Sequence, residues 1–180
     1  MLKRLKHEVV YRGRVIDLIV DQIEYPSGSK GIREVARHPG GAVAVPLFDD
    51  GRVMLISQFR YPLDARILEL PAGKLDENED PLDCARRELE EETGWKAELW
   101  DNLGSIYSTP GFCDEELHLF LATGLSALAD GHRRSEGEDD MELRILPMEE
   151  ALSMIERGEI KDAKTVCGLL RAEQRIRRGR

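Results

Sequence analysis

Little in this sequence invites covalent or soft-metal chemistry. Its 180 residues include three cysteines, Cys84, Cys113 and Cys167. They are far apart, odd in number and form no CxxC pair, so neither a disulfide framework nor a zinc ribbon is expected. The four histidines, His7, His38, His118 and His132, are equally scattered. No apolar run approaches the roughly 18 residues needed to span a bilayer. The basic start, Met1 to His7, runs into alternating charged and apolar residues rather than a signal-peptide core. A cytoplasmic protein with nothing removed is therefore expected. A positive excess is also missing. The net charge of −9 disfavours nucleic acid and anionic membranes as partners.

What is present is an ordinary globular balance, 41% hydrophobic and 34% charged. The length suits one domain with a sizeable core, or a domain with a small appendage. His7 to Tyr11, Val15 to Glu24 and Gly31 to Arg37 read as strands, with turn chemistry in Tyr25-Pro26-Ser27-Gly28-Ser29. His38-Pro39-Gly40-Gly41 breaks the pattern. The expected division is a small antiparallel β appendage over 1–38 and a main domain over 39–180.

Ala42 to Phe48 is nearly all apolar, as in a strand buried on both faces. Asp49-Asp50-Gly51 turns it into a second strand, Arg52 to Tyr61, and Ile67 to Leu70 is a short third. A helix is predicted over Pro81 to Thr93. Strands follow around Glu98 to Tyr107, Glu116 to Ala122 and Met141 to Leu146, and two helices, Met148 to Arg157 and Asp162 to Arg177, close the chain. Ser135 to Asp140 reads as a loop. Strands before, between and after helices imply an α/β fold, a mixed sheet sandwiched by helices.

The Pro81 to Thr93 helix starts well, with Asp80 as cap, Pro81 at the first position and Gly94 as a stop. Its last turn is costly. Between Gly73 and Trp95 there are nine acids against three bases. Glu90, Glu91 and Glu92 sit at the negative end of the helix dipole, each costing about 0.3–1 kcal/mol if exposed. Glu88, Glu91 and Glu92 share a sector of about 100°, beside the apolar stripe of Leu82, Ala85 and Leu89. Either this is a solvated acidic face softened by Arg86–Glu90 and Arg87–Glu91 pairs, or the carboxylates bind a hard divalent cation.

The spacing itself is distinctive. Gly73, five residues, Glu79, seven residues, Arg87-Glu88-Leu89, one residue, Glu91-Glu92, one residue, Gly94 and a bulky apolar residue resemble the Nudix box throughout its 23 positions. Trp95 stands where that family usually has Ile, Leu or Val. The resemblance implies a Nudix-like α/β/α sandwich, with metal held by Glu88, Glu91, Glu92 and the main-chain carbonyl of Ala72. The metal would be Mg²⁺, with Mn²⁺ as a substitute. Glu79 and Arg87 would brace the loop as a pair, and Gly73 and Gly94 would permit its backbone geometry.

Ser108-Thr109-Pro110-Gly111-Phe112 resembles the element marking the ADP-ribose pyrophosphatase subgroup of that family, with Pro110 sixteen residues after Gly94. Gln58-Phe59-Arg60-Tyr61-Pro62 and Leu68 to Gly73 are similar to the same subgroup. So is the N-terminal appendage, which in such enzymes is exchanged within a homodimer. The implied reaction is Mg²⁺-dependent hydrolysis of ADP-ribose to AMP and ribose 5-phosphate, with Glu92 catalytic as a ligand and Glu138 as the base. Glu136 and Asp139 are alternatives to Glu138. Arg60 and Glu69 would contact substrate, or else form a strand-end ion pair. GDP-mannose, other ADP-sugars, FAD and NADH are alternative substrates. A non-catalytic ADP-ribose or NAD sensor is a further reading, disfavoured because every box carboxylate is kept.

Overall fold

The computed structural model describes residues 1–132 and 140–179. The chain forms two compact units, Met1–Gly40 with Tyr107–Glu116, and Gly41–Ile106 with Leu117–Arg180.

The smaller unit is a three-stranded antiparallel meander of β1 (Lys3–Arg12), β2 (Asp17–Glu24) and β3 (Lys30–Arg37). The turn falls at the expected residues, with Tyr25 N–H donating to Ser29 O at 2.8 Å and Gly28 N–H to Tyr25 O at 2.8 Å. The Pro110 segment is a tight turn in this unit, closed by Cys113 N–H donating to Thr109 O at 2.9 Å. It is joined to β3 by Ala36 N–H donating to Phe112 O at 2.7 Å. Among the described residues, only Ile19 and Ile23 are buried apolar side chains of this unit, while Leu2, Val10, Tyr11, Val15 and Ile32 are exposed.

The larger unit begins with β4 (Gly41–Pro46), buried at every residue. Alternation sends Val43 and Val45 to one face and Ala42 and Ala44 to the other. The valines pack with Val53, Leu55, Leu119, Leu169 and Ala172, and the alanines with Cys84, Ala85 and Leu89. Small side chains on the second face let a helix lie close to the strand. That helix is α1 (Pro81–Thr93), bounded where the cap residues predict. The opposite face is covered by α2 (Met148–Glu156) and α3 (Ala163–Gly179).

After β4 come β5 (Arg52–Arg60), a 3₁₀ turn at Tyr61–Leu63, β6 (Ala65–Glu69), β7 (Ala72–Lys74), β8 (Trp95–Tyr107), β9 (Glu116–Ala127) and β10 (Glu142–Pro147). One sheet has the order β7-β4-β9-β8, with β4 antiparallel to β7 and parallel to β9. The other is antiparallel, in the order β10-β5-β6. The mixed sheet between helices is the architecture the sequence implied. The three-residue β7 was not anticipated, and β5 stops one residue early because Tyr61-Pro62-Leu63 turns. No helix among the described residues is long and apolar enough to cross a membrane.

Candidate active site

The site is built on α1 and the strand residues facing it. Asp80 caps the helix by accepting from Leu82 N–H at 2.8 Å, and Gly94 ends it at φ 73°, a left-handed turn that favours glycine. The hydrophobic stripe turns the neighbouring acids inward. Glu88 is 8% exposed and Glu92 3%, whereas the Glu91 side chain is 41% exposed. The shared sector thus holds two buried carboxylates and one at the rim.

Arg87 organises the first of these. Its Nε and Nη2 donate to the two oxygens of Glu79 at 2.9 Å each, and Nη1 donates to Glu88 Oε1 at 2.6 Å and Glu91 Oε2 at 3.4 Å. The expected Glu79–Arg87 brace is present and bidentate. Of the two helix pairs that a solvated acidic face would use, Arg87–Glu91 forms. Arg86 instead reaches back to Asp83 at 3.0 Å, the acid three residues nearer the helix start. Glu92 Oε2 accepts from Ala72 N–H at 3.0 Å, which ties the helix end to β7.

Gly73 stands against Glu88. A Cβ there would lie 1.9 Å from Glu88 Oε1 and 2.0 Å from its carboxyl carbon. Its φ is not positive, so the glycine is needed for space rather than for backbone freedom. That revises the reason read from the sequence. The oxygen donors of Glu88, Glu91, Glu92 and the Ala72 carbonyl suit a hard divalent cation, and the bare Gly73 leaves room for one of them. Among the described residues, however, no three His, Cys, Asp or Glu side chains already stand together as a metal group. Gathering the three glutamates requires Glu88 and Glu91 to turn away from Arg87.

The Arg87 guanidinium holds the Glu79 carboxyl down at about 2, against an ordinary 4.5. The carboxylate is therefore favoured in the folded state. The resulting stability is present above about pH 4.5 and is lost as pH falls toward 2, because the unfolded chain takes up its proton first. Glu79→Gln should lower the melting temperature at pH 7 by roughly 2–4 °C, the response to a loss of about 1 kcal/mol. The gap to wild type should shrink steadily from pH 5 to pH 2. A pH-independent gap in thermal melts would refute this assignment. Burial pushes the Cys84 thiol up to about 12, with Glu79 adding to the shift, so this thiol stays protonated and inert at neutral pH.

A second charged group lies at the ends of β5 and β6. Arg60 Nε and Nη2 donate to Glu69 Oε1 and Oε2 at 2.6 and 2.7 Å. The ion-pair alternative is thus what the structure contains. Glu69 is wholly buried, and Lys164 of α3 also donates to its Oε2. Burial alone would raise the Glu69 pKa, but hydrogen bonds from Arg60 and the charge of Lys164 outweigh it and hold the group below its ordinary value. The Arg60 side chain is 40% exposed, and its Nη1 has no hydrogen-bond partner among the described residues. Two residues earlier on the same strand face, buried Gln58 Oε1 also lacks a partner among the described residues. Lys164, Asp162 and Thr165 were not singled out in the sequence. They lie over 90 residues from Glu69 and carry no local pattern. Glu138, Glu136 and Asp139 lie outside the described residues.

Comparison with known proteins agrees with this frame. The NUDIX domain family model matches residues 38–169. The chain is 42% identical over 168 residues to a protein named ADP-ribose pyrophosphatase from Bacillus subtilis (strain 168), spanning 93% of this chain and 90% of that one. It is also 42% identical over 167 residues to the methanol dehydrogenase activator of Bacillus methanolicus, with the same coverage of 93% and 90%. A crystal structure of an ADP compounds hydrolase superposes with a TM-score of 0.87, covering 99% of this chain and 95% of that one at 18% identity.

Proposed function

This chain belongs to the Nudix family, and from that premise we propose that it is a pyrophosphatase that hydrolyses ADP-ribose to AMP and ribose 5-phosphate. The observation that carries the reading is the pair of buried carboxylates, Glu88 and Glu92, held in α1 against Gly73 and Ala72. An ordinary core would not bury them. Members of the family generally use divalent metal ions, and the proposed ligands here are Glu88, Glu91, Glu92 and the Ala72 carbonyl, with Mg²⁺ as the ion or Mn²⁺ in its place. When bound, such an ion supplies positive charge against the diphosphate and lowers the pKa of water.

The protein's own groups supply the rest. Arg60, clamped along one edge by Glu69, offers Nη1 to a phosphate or ribose oxygen, and its fixed planar fork loses little freedom on binding. Glu79 and Arg87 hold the loop between β7 and α1, so that Ala72 keeps its register with Glu92. Glu138 is assigned as the base that takes the proton from the attacking water. A cytoplasmic setting fits the three free cysteines. A homodimer joined through the β1–β3 unit fits the apolar side chains exposed there.

A panel of ADP-ribose, GDP-mannose, another ADP-sugar, FAD and NADH with Mg²⁺ tests the substrate. ADP-ribose should turn over fastest and release AMP. Faster turnover of another member without AMP from ADP-ribose would overturn the choice. Light scattering of the same sample should give twice the 20.4 kDa chain mass, and a single-chain mass would reject the dimer.

A further inference from the structure

We propose that Lys164 is a positioning residue for the substrate-binding guanidinium of Arg60, acting through the buried Glu69 carboxylate that the two cations share. The proposal rests on the reading of Arg60 given above and adds a residue from the far end of the chain to that site.

Lys164 is an unusual choice for its place in the helix. It is the second residue of α3, where the dipole is positive and a cation is disfavoured. Its side chain is only 12% exposed, so water does not provide the compensation. Glu69 does, together with Asp162 at 3.0 Å. The same Asp162 carboxylate oxygen accepts from Thr165 N–H at 3.0 Å and from Thr165 Oγ1 at 2.6 Å. Thr165 Oγ1 in turn accepts from Leu70 N–H at 2.8 Å. The helix also approaches Leu70 closely at Gly168, where a Cβ would come within 2.5 Å of Leu70 Cδ1. The first turn of α3 is therefore locked to the residue that follows Glu69.

The consequence for Arg60 is geometric. Glu69 accepts through both oxygens from the Nε and Nη2 edge of the guanidinium, and Lys164 also donates to one of those oxygens, Oε2. A carboxylate held this way cannot rotate about its last bond, so the plane of the Arg60 fork is set. Nη1 then points consistently away from the pair. Glu92 and Asp162 contribute to the negative surroundings of Arg60, and the cations of Arg60 and Lys164 face Glu69, with Asp162 beside Lys164. Without Lys164, Glu69 keeps Arg60 as its one paired cation among the described residues, and the fork swings with it. The interaction lost is one made equally to the bound substrate and to the transition state, which appears in KM rather than kcat.

The test compares Lys164→Met and Lys164→Arg by two readouts, the kinetics on ADP-ribose and the hydrogen exchange of the Arg60 Nε–H by NMR. Lys164→Met should raise KM about tenfold with kcat within about twofold. The Arg60 Nε–H should exchange at least about tenfold faster than in wild type. Lys164→Arg should restore both to within about threefold, because it returns a cation to Glu69. A lysine that merely stabilised the fold would lower the melting temperature and leave KM and Arg60 exchange unchanged, and that result would overturn the proposal. If the methionine variant does not fold, Lys164→Gln carries the same readouts. Should wild type leave ADP-ribose intact, the functional reading fails, while Arg60 exchange still decides whether Lys164 orders the guanidinium.

Discussion

Replacing Glu92 with glutamine is expected to lower turnover of ADP-ribose by roughly 10²–10³-fold while leaving the fold in place. Glu92 is 3% exposed and accepts from Ala72 N–H at 3.0 Å. Glutamine keeps an oxygen for that bond and removes only the charge. A metal's share of transition-state charge stabilisation is several kcal/mol, and each 1.36 kcal/mol is tenfold in rate. Losing one anionic ligand should therefore be felt mostly in kcat. Stability should move the other way or not at all, since a neutral amide is cheaper to bury than a carboxylate. Steady-state kinetics and a thermal melt on one sample check both halves. Wild-type turnover in the variant would discredit the role of Glu92, and loss of turnover with loss of folding would leave it a structural residue.

The second large effect is expected from a single methyl group. Gly73→Ala places a carbon 1.9 Å from Glu88 Oε1, far inside any allowed contact. Backbone strain is not the issue, because φ at Gly73 is not positive. The clash must be relieved by Glu88, whose neighbours leave it little choice. Arg87 Nη1 holds Oε1 at 2.6 Å, and the residue is 8% exposed. The added carbon also crowds the space beside Glu88 that its carboxylate needs in order to turn from Arg87 toward Glu92 and the Ala72 carbonyl. Displacements of about 1 Å in catalytic groups cost about 10²-fold, and turnover should fall by roughly that much. Turnover within twofold of wild type would show that Glu88 is not held for catalysis against Gly73.

Much of this was legible locally. The helix over Pro81–Thr93 was bounded by its caps, and β4 by an apolar run with turn residues on either side, because caps and runs are short-range signals. The carboxylates of α1 were legible as a conflict, since acids at a helix C-terminus beside an apolar stripe violate local preference. Periodicity placed Glu88, Glu91 and Glu92 in one sector but could not separate the two that are buried from the one at the rim, which depends on what packs over each. The resemblance to the Nudix box implied backbone freedom for Gly73, when the determinant is a side chain fifteen positions later. The Glu69–Lys164 contact joins residues 95 positions apart, and nothing in either neighbourhood announces it. Sequence can mark Glu69 as a charged residue in an apolar strand; only the fold supplies the cation that makes its burial tolerable.

The buried glutamates of α1 are expected to gather around a divalent ion. Titration of the protein with Mn²⁺, followed by the electron paramagnetic resonance signal of free ion, measures this without reference to any substrate. Wild type should take up Mn²⁺ in competition with Mg²⁺, with affinity falling about tenfold or more in Glu92→Gln. Equal uptake by wild type and variant, or none by either, would contradict the account.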